Sequence, residues 1–243
     1  IGIVLWGADR LTTGAAGIAQ RLGMPQIVIV LTIVAAGTSM PEFFVSLLSA
    51  INGTPDLAVG NVVGSNIFNT LLIVGCTAMV APIAILRITV RRDIPFAVLA
   101  SVALTVMCMD SNISRIDAII LLLLFAGFMW MTLRGARSEG KDPAEASSEK
   151  PVGAVRAVLL IVIGLACLVA GSDIFVDNAS AIAHSLNVSD AIIGLTIVAG
   201  GTSLPELATS VVSARKGDSG IAIGNVLGSN VFNILAILGF TGI

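Results

Sequence analysis

The stretch "LTIVAAGTSMPEFFVSLLSA", residues 31–50, decides how this chain is read. Its flanks are apolar, yet its middle, "GTSMPE" at 37–42, disrupts helix and carries a carboxylate. Gly37 and Pro41 both disfavour a continuous helix, Pro41 because it lacks an N–H and clashes one turn back. The spacing predicts a helix that breaks over Ala35–Ser39 and restarts near Pro41. Ser39 and Glu42 are spaced as a capping box, with Pro41 in the first turn of the second piece. Such a break frees backbone carbonyls, with Ala35 and Thr38 the candidates. In hydrocarbon, free carbonyls must line a cavity or bind an ion.

The hexapeptide returns as "GTSLPE" at 201–206. The offset of 164 positions also aligns Asp9 with Asp173, Asn61 with Asn225, Ser65 with Ser229 and Asn69 with Asn233, without a gap. Roughly half the positions from Gly7 to Gly75 match their mates, which marks an internal repeat.

The rest of the chain explains where such a repeat can live. Of 243 residues, 56% are hydrophobic and 12% charged, and the mean hydropathy is +1.01. Soluble domains carry roughly 25% charged residues. Apolar stretches of about 20 residues are long enough to cross a bilayer. The composition is that of an all-α integral membrane protein. Eight spans are read near 1–20, 25–50, 57–81, 94–109, 115–134, 153–181, 190–214 and 221–243. The first five form one repeat (1–134), a polar linker follows (135–152), and the second repeat occupies 153–243.

Positive charge gives an orientation. With the linker in the cytoplasm, Arg21, Arg87, Arg91, Arg92, Arg134, Arg137, Lys141, Lys150, Arg156, Arg215 and Lys216 all fall on its side. Only Arg115 falls opposite, and Arg10 lies within the first span. The positive-inside rule then puts the N-terminal end outside a cell membrane.

Five spans before the linker make the second copy enter the membrane from the opposite face. Inverted-topology repeats of this kind place a binding site at the midplane, where broken helices meet. By the same offset the second half would continue for about 55 residues, giving two further spans and a ten-span parent protein. Those spans would be the mates of 94–134, so the chain without them is not expected to transport.

A carboxylate near the bilayer centre is costly, and serine alone could cap two helices. A purely structural bundle, with Glu42 and Glu206 as caps, therefore explains the pair less well than a cation site. In "GNVVGSNIFN", residues 60–69, Asn61, Ser65 and Asn69 recur every four residues on one helical face. "GNVLGSNVFN", residues 224–233, repeats the row with Asn225, Ser229 and Asn233. The Gly60/Gly64 and Gly224/Gly228 pairs permit close helix packing. The two halves offer two carboxylates, the hydroxyls of Thr38, Ser39, Thr202 and Ser203, amides and carbonyls. These are all oxygen donors, suited to Ca²⁺ or Na⁺, whereas zinc or copper would favour Cys or His. Two Glu⁻ balance one Ca²⁺, two Na⁺ or two protons, which is the physical basis of antiport.

Other function classes find little support. Cys76, Cys108 and Cys167 lie apart in apolar stretches and His184 stands alone. "GARSEGKD" in the linker has Asp142 where a nucleotide loop needs Ser or Thr, and no strand precedes it. No basic stripe points to nucleic acid, no cofactor motif is present, and no nucleophile–base pair marks an enzyme. No obligate protein partner is inferred.

The paired motifs resemble the two alpha-repeats of the calcium/cation antiporter superfamily, specifically the prokaryotic sodium/calcium exchangers. The resemblance implies ten helices in two inverted five-helix repeats, and extracellular Na⁺ exchanged for cytosolic Ca²⁺ by alternating access. It implies that Glu42 and Glu206 are ligands shared by Ca²⁺ and Na⁺, joined around Ca²⁺ by the carbonyls of Thr38 and Thr202. Ser39, Ser65, Ser203 and Ser229, with the carbonyls of Ala35 and Ala199, would serve flanking Na⁺ sites, and Asn69 and Asn233 the middle. It further implies that the helices near 1–20 and 153–181 slide across the rest. Potassium-dependent members carry Asp where this chain has Asn233, which argues against potassium co-transport. Proton-coupled relatives show more acidic residues in the second element. Ca²⁺/H⁺ exchange remains the alternative, with a passive cation channel behind it.

Overall fold

The computed structural model describes residues 1–110, 112–138 and 153–243, and every regular element among them is helical. Helix α1 (Gly2–Leu22) ends on Gly23, whose φ of 62° lets its N–H turn back to the carbonyls of Ala19 and Gln20. Helices α2 (Ile27–Thr38) and α3 (Met40–Ile51) make one span bent by 49° at Ser39. Helices α4 (Pro55–Val80), α5 (Thr89–Asp110) and α6 (Arg115–Ser138) complete the first half. The second half holds α7 (Ala154–Ser185), α8 (residues 190–202), α9 (Leu204–Arg215) and α10 (Gly220–Thr241).

Five of these helices, α4, α5, α6, α7 and α10, are each long and apolar enough to cross a membrane, and α2–α3 qualifies as a bent pair. The other two spans read from the sequence are present as helix but are more polar. Helix α1 carries Asp9, Arg10, Thr12 and Thr13, and α9 carries Thr209, Ser210, Ser213 and Arg215. Helix α5 begins at Thr89 rather than near 94, and α7 reaches Ser185 instead of 181. The linker also starts later than expected, because α6 continues through Gly135 to Ser138. Residues 139–152, with the second half of the nucleotide-loop lookalike (135–142), lie outside the described residues.

The repeat is as exact in secondary structure as in sequence. Ala35–Thr38 maps onto Ala199–Thr202, and Met40–Ile51 onto Leu204–Arg215, at the constant offset of 164. The wide π-helical turn Val30–Val34 likewise maps onto Gly194–Val198, and Asn69–Ile73 falls within the mate of Phe232–Ile237. Wide turns of this kind recur at functional sites because they disturb the regular backbone ladder.

Helices α1 and α7 pack along each other through small residues, as crossed halves should. A Cβ at Gly164 would stand 2.6 Å from the Leu11 backbone nitrogen, and one at Gly14 would stand 2.7 Å from the Ala157 carbonyl. Glycine here allows the backbones to touch.

Two contacts break the symmetry. Helix α1 lies along α9, but α7 makes little contact with α3, the equivalent pair. Phe44 on α3 is 56% exposed, while its mate Ala208 on α9 is 6% exposed. At the end of α9, Lys216 Nζ reaches Asp9 Oδ1 at 2.7 Å and donates to Thr12 Oγ1 at 3.0 Å. The corresponding pair is Asn52 and Asp173, which has no cation to offer.

Candidate cation-binding site

Two broken spans meet face to face. The breaks fall at Ser39 and Ser203, each followed by a short helix with Pro in its first turn and the glutamate just behind it. A capping box was the expected use of Ser39, but its side chain makes no cap hydrogen bond. Ser39 Oγ donates across the interface to Glu206 Oε1 at 2.8 Å, and Ser203 Oγ donates to Glu42 Oε1 at 3.0 Å. Each hydroxyl points its O–H at a buried carboxylate, a charge-assisted bond stronger than the neutral one it would accept from a cap N–H. Ser229 Oγ adds a longer contact to Glu206 Oε1, at 3.4 Å.

The backbone at the breaks is held by the second motif. Asn61 Nδ2 donates to the Glu42 carbonyl at 3.1 Å and to Ser46 Oγ at 2.9 Å. Asn225 repeats this with the Glu206 carbonyl at 3.2 Å and Ser210 Oγ at 3.3 Å. Ser46 and Ser210 were not singled out in the sequence, although the offset pairs them. The Ala35 carbonyl, expected to be freed by the break, accepts the Ser39 N–H at 3.0 Å and the Thr38 hydroxyl at 3.3 Å. The Thr202 hydroxyl likewise donates to the Ala199 carbonyl at 3.1 Å.

The remaining predicted residues converge on the same place, with Ser65, Asn69, Ser229 and Asn233 all buried. Asn69 and Asn233 are tied to the opposite half through two residues that the sequence reading passed over. Asn69 Nδ2 donates to Asn230 Oδ1 and Asn233 Nδ2 to Asn66 Oδ1, both at 3.1 Å. The signal was available, since Asn66 and Asn230 are mates at the offset and lie one turn before Asn69 and Asn233.

Glu42 and Glu206 are 1% and 0% exposed, and no ion pair among the described residues reaches either. Two like charges buried together without a counter-charge are strongly unfavourable. Glu42 Oε2, Glu206 Oε2, Asn69 Oδ1 and Asn233 Oδ1 are all buried without a hydrogen-bond donor. Each is an acceptor, and they form two mate pairs. A cation is one partner that satisfies buried acceptors lacking donors, and ordered water is the other. The donors that converge here are carboxylate, amide and hydroxyl oxygens. That is hard-cation chemistry.

The surroundings are open on one side and shut on the other. A cavity of about 380 Å³ runs between α4 and α8, lined by Gly60, Asn61, Gly64, Ser65, Phe68, Thr196, Ala199 and Gly200. On the mate face, α2 is pressed onto α10. A Cβ at Gly228 would meet Ala35 Cβ at 2.7 Å and Leu31 Cα at 2.9 Å, whereas one at Gly60 or Gly64 would meet nothing within 4 Å.

Comparison with known proteins agrees with this architecture. The family described as sodium/calcium exchanger protein matches residues 1–134 and 156–243. The chain is 42% identical to CaxA of Alkalimonas amylolytica, over 98% of this chain and 77% of that protein. It is 38% identical to the inner membrane protein YrbG of Escherichia coli K12, over 98% and 75%. The solved structure of the sodium-calcium exchanger NCX_Mj superposes with a TM-score of 0.85 at 32% identity, covering 99% of this chain and 78% of that one. The chain therefore belongs to the sodium/calcium exchanger family, as a multi-pass membrane antiporter of Ca²⁺ and other cations built from inverted helical repeats.

Proposed function

We propose that the protein exchanges extracellular Na⁺ for cytosolic Ca²⁺ by alternating access, in a cell membrane with its N-terminal end outside and the linker in the cytoplasm. The observation that carries this reading is the set of four buried oxygens without donors, on Glu42, Glu206, Asn69 and Asn233. In this reading the two glutamates are ligands common to both ions, and the carbonyls of Thr38 and Thr202 complete the Ca²⁺ shell. Ser39, Ser65, Ser203 and Ser229, with the carbonyls of Ala35 and Ala199, serve flanking Na⁺ ions, and Asn69 and Asn233 line the middle. The relative MaX1 of Methanosarcina acetivorans is named a sodium/calcium exchanger, and NCX_Mj structures were obtained from soaks in Na⁺, Ca²⁺ and Sr²⁺.

Binding and release follow from charge. The empty pair of glutamates repel each other, and either one Ca²⁺ or two Na⁺ cancels that repulsion. Neither ion can leave without restoring it unless the other arrives, which couples the two fluxes. Access is set by the helices beside the site. The positive-inside orientation assigns α8 and the start of α4 to the outer half of the membrane, so the cavity beside them opens outward. The pressed α2–α10 contact shuts the inner path. The inverted repeat supplies the opposite state, in which α8 closes onto Gly60 and Gly64 while α2 leaves Gly224 and Gly228.

The test is calcium flux in proteoliposomes holding the full-length protein. An imposed Na⁺ gradient should drive Ca²⁺ uptake, and Glu42→Gln or Glu206→Gln should abolish it. Flux that ignores Na⁺ and follows a pH gradient would assign Ca²⁺/H⁺ exchange instead. Steady single-channel currents would replace antiport with a channel.

A further inference from the structure

Asn66 and Asn230 lie between α4 and α10, behind the cation site rather than in it. The carbonyl of Asn230 can only accept a hydrogen bond, and Asn66 Nδ2 donates to it at 3.1 Å. With its NH₂ group committed there, Asn66 presents Oδ1 on its other side, and this oxygen accepts Asn233 Nδ2 at 3.1 Å. The NH₂ of Asn233 is thereby turned to Asn66, and Asn233 Oδ1 is left buried without a donor. One backbone carbonyl thus fixes the polarity of two amides in succession.

The other half has the same outcome by a different anchor. Asn230 Nδ2 donates to Thr70 Oγ1 at 3.0 Å, which leaves Asn230 Oδ1 to accept Asn69 Nδ2 at 3.1 Å. Asn69 Oδ1 is then the second buried amide oxygen without a donor. The mate of Thr70 is Ile234, and a threonine hydroxyl can donate as well as accept, so this anchor fixes its amide less strictly than the Asn230 carbonyl does.

The polarity matters because an amide has one end of each kind. Its oxygen attracts a cation, while its NH₂ group repels one. A carboxylate at the same position would need no such control, since both its ends are oxygen. We infer that Asn66 and Asn230 are positioning residues that hold the amide oxygens of Asn233 and Asn69, rather than their NH₂ groups, toward the transported cation. This rests on the reading of the site as the transport site.

The test is a double-mutant cycle on the full-length protein in proteoliposomes. Wild type, Asn66→Leu, Asn233→Asp and the double variant are compared for half-saturating Ca²⁺ and maximal rate. Leucine keeps the side-chain volume of Asn66 while removing its acceptor. Asn66→Leu should raise half-saturating Ca²⁺ about tenfold and change the maximal rate less than about twofold. In the Asn233→Asp background the same substitution should move half-saturation less than about twofold, since either carboxylate oxygen serves. Equal shifts in both backgrounds, or no shift in either, would overturn the inference while leaving Ca²⁺ transport intact. A wild-type protein that moves no Ca²⁺ would overturn the site reading, and this inference with it. If Asn66→Leu does not yield a monodisperse protein, Asn230→Leu with Asn69→Asp makes the same cycle in the other half and decides by the same criteria.

Discussion

Ser39 Oγ lies 2.8 Å from Glu206 Oε1, a hydrogen bond that joins the break of one repeat to the carboxylate of the other. Its mate, Ser203 to Glu42 at 3.0 Å, runs the opposite way. The shortest hydrogen bond to each glutamate side chain thus comes from the other half, and Ser229 adds a longer one to Glu206 from its own. Hydrogen bonds to charged groups contribute about 1.5–3 kcal/mol, so Ser39→Ala should weaken cation binding by at least about tenfold. Ser203→Ala should do the same. Calcium titration by isothermal calorimetry checks both, and unchanged affinity in either variant would show that the glutamates are held by other contacts.

Removing the cation should loosen the molecule. Two buried carboxylates without a counter-ion repel each other, and a ligand at 100 times its Kd stabilises the folded state by about 2.7 kcal/mol. In detergent, chelation of Ca²⁺ in Na⁺-free buffer should lower Tm, and Glu42→Gln/Glu206→Gln should remove that dependence. A Tm of the double variant that still falls on chelation would place the stabilising ion elsewhere.

The glycine faces give a prediction about motion. A Cβ at Gly228 meets Ala35 and Leu31 at once, so Gly228→Ala should strain the shut side by about 1–3 kcal/mol. A Cβ at Gly64 meets nothing within 4 Å, so Gly64→Leu should leave the open state folded. It should nevertheless stop turnover, because the bulk fills the surface onto which α8 must close. The expected result for Gly64→Leu is Ca²⁺ binding within about threefold of wild type, with exchange reduced more than about tenfold. Equal loss of binding and exchange would contradict this assignment.

Asp218 sits in the turn before α10, half-buried, outside the spans. Burial pushes its carboxyl above the usual aspartate range, opposed by the nearby Lys216 ammonium. A raised folded value means that this group favours folding when protonated. That contribution is present below the ordinary value of about 3.9 and is lost as pH rises through the raised one. Asp218→Asn should lose this dependence. Thermal melts across that window check it, and parallel profiles for the two proteins would remove Asp218 from the pH response.

The repeat, the two breaks and the convergence of both polar rows were legible because each leaves a mark at fixed spacing. Pro41 and Pro205 announce the restart of a helix, and Asn61, Ser65 and Asn69 share a face by simple periodicity. What the spacing could not show was the direction of a hydroxyl. Ser39-x-x-Glu42 satisfies the local capping pattern, in which the hydroxyl accepts, but here it donates to Glu206, which only the folded chain brings within reach. Asn66 falls outside the four-residue row, and only the offset, which pairs it with Asn230, marks it. The wide turns at Val30–Val34 and Gly194–Val198 left no mark in residue type that periodicity could read.

The ion pair between Lys216 and Asp9, which joins the two halves, has no symmetric counterpart, since its equivalent would join Asn52 to Asp173. A carrier whose halves were fully equivalent would, when empty, wait on either face equally. Here one resting state holds an ammonium against a carboxylate and two threonine hydroxyls, and the inverted state has an amide in its place. Such a bias cannot alter the direction in which ion gradients drive exchange, because it cancels around a complete cycle. It sets the face on which the unloaded carrier waits, and so which side of the membrane sees the higher apparent affinity.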